Sequence, residues 1–518
     1  MGPKRRLVVV GSGAAGMACA VAAARAGAQV TVLDAAPVLG GTTAVSGGAI
    51  WVPANPWAAA QGVDDSAEEA RAYLRVLALG DVDEALADAY VARAAPTIGA
   101  IEAATALRWE MQTGWPDYHA ELEGAKLEGR SLEIGAVAVD ARARDRVRPD
   151  PYRVAPITVN EERSPSPPDA TEIARREDAG IVARGRGLIA GLNQALHELG
   201  GEVRCDARVE QLVVSSGAVT GVIAAGERYD GQVVLTTGGF EREPRLVRRF
   251  LRGPMSAPGG APLNRGDGLS MGMRLGAAVA NMSEAWWCAA LGVPGETIDG
   301  APFFRMLFLD LGAPGGIMVD ARGRRFANEA ANYNDFGRTL HEIDPSDYRC
   351  VRAPSWLVFD ATRRAAQIGP LAPAQPDPEW LQREGTLEAL AQRMGVPPDA
   401  LVETVERFNG HAAQGADRDF ARGSYSFDRF SAGSAELRPL CEPPFYAVPV
   451  LPGCLGTKGG LKIDAHGRVL RDDGEPIEGL FAAGNATASP FGCAYPGGGA
   501  TIGPALVFGW LAGEAAGA

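Results

Sequence analysis

The sequence lacks the patterns that mark several large protein classes. Its seven cysteines are scattered and never spaced as CxxC, so they predict neither a disulfide framework nor a zinc site. The five histidines show no spacing such as HExxH, and we expect no metal. No stretch reaches 18 uninterrupted apolar residues, so we expect no membrane span. Acidic residues outnumber basic ones, 63 to 50, which argues against nucleic acid or anionic lipid as a partner.

Glycine, in contrast, is abundant. The chain of 518 residues has 66 glycines and 36 prolines, together about a fifth of all positions, where average usage gives ~12%. This excess indicates either low-complexity sequence or many positions at which the backbone lies close to a ligand or to another part of the protein. The length predicts roughly two to four domains. A basic start, Lys4-Arg5-Arg6, resembles a signal peptide, but spaced glycines soon break the apolar run after it, so we expect a cytoplasmic protein.

The chain up to Asp34 has the pattern of a βαβ unit that binds a dinucleotide. Residues 7–10 are apolar and form a predicted buried strand, followed by Gly11, Gly13 and Gly16 in the GxGxxG pattern. The first glycine permits a tight turn, the second lets backbone approach a pyrophosphate, and the third lets helix and strand pack closely. Asp34 can accept a hydrogen bond from a ribose 2′-OH, which disfavours a 2′-phosphate and therefore NADP.

Three further glycine clusters favour FAD over NAD. They lie at 40–48, 233–239 and 484–503, and only a long cofactor requires contacts from such distant parts of the chain. The predicted cofactor-binding residues are Gly11, Gly13, Ala14, Ala15, Gly16, Asp34, Gly41, Thr42, Thr43, Ser46, Gly47, Gly48, Gly239, Gly484, Asn485, Gly499, Thr501 and Ile502.

Several segments closely resemble the 3-ketosteroid dehydrogenases of the fumarate reductase/succinate dehydrogenase flavoprotein superfamily. They include VVVGSGAAG, GGTTAVSGG, RRFANEAANYNDFG, PPFYAVPVLPGCLGTKGGL and AYPGGGATIGPAL. The resemblance implies an α/β plus α+β architecture, in which a Rossmann-like FAD-binding domain (1–281 and 443–518) carries an inserted catalytic (cap) domain at 282–442.

The resemblance also implies roles for four residues in desaturating a ketone beside its carbonyl. Tyr495 and the Gly499 N–H would polarise the carbonyl, Tyr333 would remove the α-proton, and Tyr118 would relay it; FAD would take the hydride. The implied activity is 1,2-desaturation of a 3-ketosteroid, with a quinone or another carrier as electron acceptor. Candidate walls of an apolar pocket are Trp286, Trp287, Phe303, Phe304, Met306 and Phe308.

Several departures from the family pattern keep the substrate open, among them YPGGG where the family commonly has YPGPG. Asn332 stands where a proline is usual before the base tyrosine, and Ala494 stands where a threonine is usual before Tyr495. Related alternatives are 4,5-desaturation and a smaller cyclic ketone. Fumarate-type reduction is disfavoured because 482–509 contains no Arg or His to clamp carboxylates. A non-enzymatic FAD-binding protein is a further alternative. The polar stretch 142–178 is interpreted as a surface excursion or mobile loop.

Overall fold

The computed structural model describes residues 5–152, 154–346, 348–350, 352–433 and 436–518. Its first layer is a six-stranded sheet in which the buried valines of the first strand lie at the centre. All neighbouring strands run parallel except the pair at the 468–482 edge. In spatial order the strands are Arg468–Leu470, Pro476–Ala482, Gln232–Leu235, Arg6–Val10, Gln29–Leu33 and Glu202–Arg204.

Two helices pack together on this sheet and join the two ends of the chain. Helix Ala14–Arg25 follows the first strand, and the closing helix Ile502–Gly517 lies against it. A Cβ added at Gly509 would lie 2.3 Å from the Ala15 carbonyl oxygen. Some of the glycine excess therefore permits close helix packing rather than close approach to a cofactor.

The second layer is a seven-stranded sheet in which antiparallel pairing dominates. The long strand Phe445–Thr457 pairs with four of the other six strands. That strand belongs to the second part of the predicted FAD-binding domain, so the two predicted units meet along it; the division at 281 and 442 stays a prediction. The other strands are Ala257–Pro258, Ala285–Ile298, Ala301–Met306, Gly316–Val319, Ser355–Asp360 and Gln382–Glu384.

The remaining elements surround these two sheets. Small sheets are formed by Val209–Ser215, Ala218–Ala224 and Glu227–Asp230; by Ile50–Trp51, Trp109–Met111 and Ser131–Ile134; by Val137–Ala138 with Ile181–Val182; and by Val279–Ala280 with Gly460–Leu461. The other α-helices are Pro56–Ala59, Ala67–Leu77, Glu84–Ala104, Ala141–Arg144, Val159–Arg163, Ala170–Asp178, Arg184–Glu198, Pro244–Phe250, Asp267–Arg274, Tyr333–Thr339, Ala361–Arg364, Leu387–Met394, Pro398–Ala413 and Ser426–Ala432. Within the described ranges, no helix is long and apolar enough to cross a membrane.

The stretch 142–178 differs from the predicted mobile loop, because it contains short helices fixed by polar contacts. Thr158 and Glu161 form a capping box at the start of helix Val159–Arg163. The buried Glu133 carboxylate accepts the Val159 and Asn160 N–H groups at 2.7 Å. Because side-chain capping rather than apolar periodicity holds this stretch, its order leaves little trace in the hydrophobic pattern.

Candidate active site

One cavity of about 720 Å³ contains nearly all of the predicted functional residues. Every predicted cofactor residue except Gly16 and Gly239 lines it, and so do Tyr118, Tyr333, Tyr495 and Gly499. The residues come from both ends of the chain and from the second sheet, as one extended ligand requires.

The first glycine loop fits a dinucleotide. A Cβ at Gly11 would lie 2.4 Å from the Thr236 carbonyl oxygen, and one at Gly16 would lie 1.9 Å from that of Gly11. A Cβ at Gly13, in contrast, would meet only the Thr43 hydroxyl, at 3.7 Å. Gly11 and Gly16 therefore permit close backbone packing, whereas Gly13 keeps the cavity wall open where a diphosphate would approach the helix N-terminus.

Asp34 lies at the end of the second strand, where the fingerprint places it. One carboxylate oxygen accepts the Ser12 N–H at 2.9 Å, and the other accepts the Ala36 N–H at 2.8 Å. These bonds fix the carboxylate in the cavity wall, and its remaining lone pairs can accept ribose hydroxyls. The site therefore fits FAD: these residues would hold its adenosine and diphosphate.

Gly239 lies behind the cavity wall rather than in it. A Cβ there would lie 2.4 Å from both Glu241 Oε2 and the Thr457 hydroxyl. The preceding Gly238, with φ +71°, lines the cavity instead. The strand ends at Leu235, so the turn that follows exposes the first glycine of the pair and buries the second.

The three predicted catalytic tyrosines form one hydrogen-bonded chain. The Tyr118 hydroxyl donates to that of Tyr333 at 2.6 Å, and Tyr333 donates to Tyr495 at 2.9 Å. The Tyr495 hydroxyl lies 3.3 Å from Thr501 Oγ1 at the start of the closing helix. Residues far apart in sequence are thus joined by a continuous path for protons.

Local hydrogen bonds position Tyr333 and Tyr118. Tyr333 is the first residue of helix Tyr333–Thr339, and Asn332 is its N-cap, accepting the Asp335 N–H at 3.0 Å. The departure from proline at 332 thus supplies a helix cap. The Tyr118 N–H donates to the Pro496 carbonyl at 3.0 Å, which ties Tyr118 to the segment of Tyr495.

Burial makes all three phenols weak acids. It raises the pKa of Tyr118 and Tyr333 well above the usual range, and it also raises the pKa of Tyr495. The neutral Tyr495 is therefore a stable hydrogen-bond donor. Tyr333 can accept a proton only if it passes its own proton to a hydrogen-bonded tyrosine.

A histidine–aspartate pair lies beside the three tyrosines. His119 Nε2 lies 2.6 Å from Asp335 Oδ2, and Asp335 is on the helix that Tyr333 begins. Although burial acts to lower it, the carboxylate of Asp335 raises the pKa of His119 above its usual value. The pair provides a proton-exchanging group next to Tyr118.

Lys458 is a buried residue of the site that the sequence reasoning missed. Its side chain is buried, and Nζ donates to the Cys493 carbonyl at 2.7 Å. Nζ also lies 4.6 Å from the centroid of the Trp286 ring and 5.7 Å from that of Tyr495. Burial lowers the pKa of Lys458 to about 7. In the sequence, the only indication was its place in the segment PPFYAVPVLPGCLGTKGGL, which resembles the family.

The structure places three of the six predicted apolar wall residues in the cavity lining. Phe303, Met306 and Phe308 line the cavity, whereas Trp286, Trp287 and Phe304 do not. Trp286 instead packs behind Tyr495, with ring centroids 4.7 Å apart. Trp115, which the sequence reasoning did not single out, also lines the cavity.

Comparison with known proteins agrees with this geometry. The model of the family described as FAD binding domain matches residues 6–502. The chain is 40% identical to 4-oxocyclohexanecarboxylate 2-dehydrogenase of Sinomonas cyclohexanicum, over 98% of this chain and 92% of that protein. It is 35% identical to 3-oxosteroid 1-dehydrogenase of Mycolicibacterium smegmatis, over 99% and 97% of the two chains.

A solved structure extends the likeness to the fold. The 3-ketosteroid Δ1-dehydrogenase of Sterolibacterium denitrificans, in complex with 1,4-androstadiene-3,17-dione, aligns with a TM-score of 0.91 at 33% identity, over 99% of each chain. The fold and site thus define an FAD-dependent oxidoreductase that acts on CH–CH bonds beside a ring ketone. The chain belongs to the FAD binding domain family and, within it, to the 3-ketosteroid dehydrogenases.

Proposed function

We propose that this protein desaturates a 3-ketosteroid between C1 and C2, and that Tyr118, Tyr333, Tyr495 and Gly499 carry the reaction. The observation that supports it most is the chain of three tyrosine hydroxyls in the wall of the cofactor cavity. The 35% identity to 3-oxosteroid 1-dehydrogenase supports the choice of substrate.

The proposed roles follow from the position of each group. Tyr495 and Gly499 both line the cavity. In the proposed reaction the Tyr495 hydroxyl and the Gly499 N–H together polarise the substrate carbonyl and stabilise negative charge on its oxygen. Tyr333 accepts the proton from the α-carbon while its own proton moves to Tyr118, and Tyr118 in turn releases its own proton to solvent by way of the neighbouring His119–Asp335 pair. FAD, when bound, would supply the acceptor for the hydride that leaves the β-carbon.

Gly499 is fixed for its role by its backbone. Its φ is +92°, and a Cβ there would lie 2.3 Å from the Ile50 backbone nitrogen. A side chain at this position is therefore excluded by both conformation and space. The helix that begins at Ile502 directs its positive end toward the same part of the cavity.

A smaller cyclic ketone is the second candidate substrate, and the relative at 40% identity supports it. The same tyrosine chemistry serves both candidate substrates. For both we propose a division into an FAD-binding domain (1–281, 443–518) and a catalytic domain (282–442). We further propose that a quinone or another carrier reoxidises the enzyme. The described cysteines are all free, which supports a cytoplasmic location.

The test is an anaerobic titration of the yellow holoenzyme with ring ketones. A saturated or 4-ene 3-ketosteroid should bleach the flavin and yield a 1-ene product in equal amount, detected by mass spectrometry. If no ring ketone bleaches the flavin and only fumarate-like acids reoxidise the reduced enzyme, the proposed function is wrong.

A further inference from the structure

One arginine in the cavity wall differs from the others in having no acidic partner. Among the described residues, five arginines line the cavity, and four of them pair with carboxylates. Arg184 pairs with Glu162 at 2.8 Å, Arg208 with Asp267 at 2.9 Å, Arg305 with Glu296 at 2.7 Å, and Arg148 with Asp299. For Arg163 the described residues offer ring contacts but no hydrogen bond or ion pair.

Arg163 is held against aromatic rings at the mouth of the cavity. It is the last residue of helix Val159–Arg163, and its side chain is exposed to solvent. Its guanidinium lies 4.3 Å from the centroid of the Phe430 ring and 5.8 Å from that of Trp115. Burial against these rings lowers the pKa of Arg163, yet an arginine keeps its charge at every relevant pH. The position therefore carries a preorganised, partly desolvated cation.

The same rings connect Arg163 to the carbonyl-binding end of the site. A Cβ at Gly498, the neighbour of Gly499, would lie 2.7 Å from Trp115 Nε1. On the other side, Phe430 packs on Phe427, and Phe427 packs on Tyr118 with ring centroids 4.9 Å apart. Arg163 thus lines the same cavity as Tyr495 and Gly499, and the rings of Trp115 and Phe430 lie between its guanidinium and that end of the site.

The neighbouring acid does not neutralise this cation. Glu162 is adjacent in sequence and raises the pKa of Arg163, but its carboxylate is hydrogen-bonded to Arg184. The planar guanidinium forms two parallel hydrogen bonds with a carboxylate, and such charge-assisted pairs are the strong ones.

We propose that Arg163 binds a carboxylate of the substrate, so that the preferred substrate is a ring ketone with an acid group remote from its carbonyl. This inference rests on the ring-ketone dehydrogenation proposed above and narrows its substrate class. The acid can stand on a small ring or on the side chain of a steroid, and the experiment separates these two sources.

The experiment measures kcat and KM of the holoenzyme with two acid and ester pairs. One pair is 4-oxocyclohexanecarboxylate and its methyl ester; the other is a 3-oxosteroid with a carboxylic acid side chain and its methyl ester. The variants are Arg163→Gln and Arg163→Lys. The control is Arg175→Gln, which removes an exposed arginine that pairs with Glu172 on the nearby helix Ala170–Asp178.

We expect the wild type to prefer one acid over its ester, and Arg163→Gln to raise KM for that acid about tenfold with kcat nearly unchanged. The ester should not respond to this variant, Arg163→Lys should retain part of the preference, and Arg175→Gln should have no effect. High salt should weaken the preference of the wild type. The pair that shows the effect identifies the source of the acid.

Failure of this inference is distinguishable from failure of the proposed function. If acids and esters are oxidised equally well, or if Arg163→Gln changes both alike, the carboxylate site is wrong while ring-ketone dehydrogenation stands. If neither these four ketones nor a neutral 3-ketosteroid bleaches the flavin, the proposed function itself is wrong.

Discussion

The cofactor side and the substrate side of the cavity are built in different ways. The cofactor side consists mostly of backbone, because glycines at 11, 13 and 48 bring main chain to the surface of the cavity. The substrate side consists of side chains from distant segments, with Tyr118, Tyr333 and Tyr495 joined by hydrogen bonds. A wall of backbone depends on conformation and space, whereas a wall of side chains depends on chemical groups. Substitutions on the two sides should therefore have different effects. Those on the cofactor side should reduce FAD content, and those on the substrate side should reduce turnover.

The largest expected effect is the loss of a single hydroxyl on the substrate side. Tyr495→Phe removes the donor to the substrate carbonyl and should lower kcat by about 10²–10³-fold, as for the loss of an oxyanion-hole donor. FAD content should not change. Tyr348→Phe, at a tyrosine that is 85% exposed, is the control. Steady-state kinetics with parallel flavin absorbance decides, and a variant that keeps normal turnover contradicts the role of Tyr495.

The buried Lys458 predicts a dependence of stability on pH. Its pKa is lowered to about 7 in the folded chain from 10.5, so between these values the unfolded chain binds more protons and stability rises with pH. The cost of protonating Lys458 is fully present below about pH 7. Lys458→Met should remove this term, so that the difference in free energy of unfolding between variant and wild type changes by about 1.4 kcal/mol per pH unit between pH 7.5 and 9.5.

Urea unfolding at several pH values measures that slope. Lys462→Met, a change of a half-buried lysine four residues further on, provides the comparison. Parallel curves for wild type and Lys458→Met would show that Lys458 is not a buried cation with a lowered pKa.

A backbone change tests the cofactor side. Gly11→Ala places a Cβ 2.4 Å from the Thr236 carbonyl oxygen at a φ of +107°. The substitution should lower the free energy of unfolding by roughly 1–3 kcal/mol. We expect lower FAD content and a lower Tm, with normal turnover per bound flavin. Gly27→Ala has a similar φ of +93° but meets no atom within 4 Å, so it isolates the conformational strain. Full FAD content in Gly11→Ala would break the distinction between the two sides.

The smallest expected effect concerns the cap of the Tyr333 helix. Asn332→Ala removes the acceptor for the Asp335 N–H and should lower stability by about 1 kcal/mol. Because Tyr333 begins this helix, turnover should also fall several-fold. Thr386→Ala removes a similar cap at helix Leu387–Met394, and it should lower stability without affecting turnover. Equal turnover in both variants would mean that the cap does not position Tyr333.

The two sides also differ in how well the sequence predicts them. The glycine loop and Asp34 were predicted from local spacing alone, because strand, turn and helix follow one another within 34 residues. The tyrosines came only from resemblance to a family, since no local pattern joins Tyr118 to Tyr333 across 215 positions. Lys458 and Arg163 depend on what folds against them, and a single sequence does not contain that information.

Glycine itself shows the limit of prediction from composition. Glycines at 11 and 13 serve the cofactor side, but Gly509 permits packing between the first and last helices, and Gly239 lies behind the wall. A glycine indicates that another group lies close to the backbone at that position. Whether that group is the cofactor or another segment of the protein depends on the tertiary fold.

The most direct test of the account is a single turnover of Tyr333→Phe. Wild-type and variant holoenzyme with equal FAD content are mixed anaerobically with the ring ketone that the wild type oxidises, and flavin bleaching is followed by stopped flow. We expect bleaching at least 100-fold slower in the variant, because the base that accepts the α-proton is absent. Bleaching of Tyr333→Phe at the wild-type rate would contradict it.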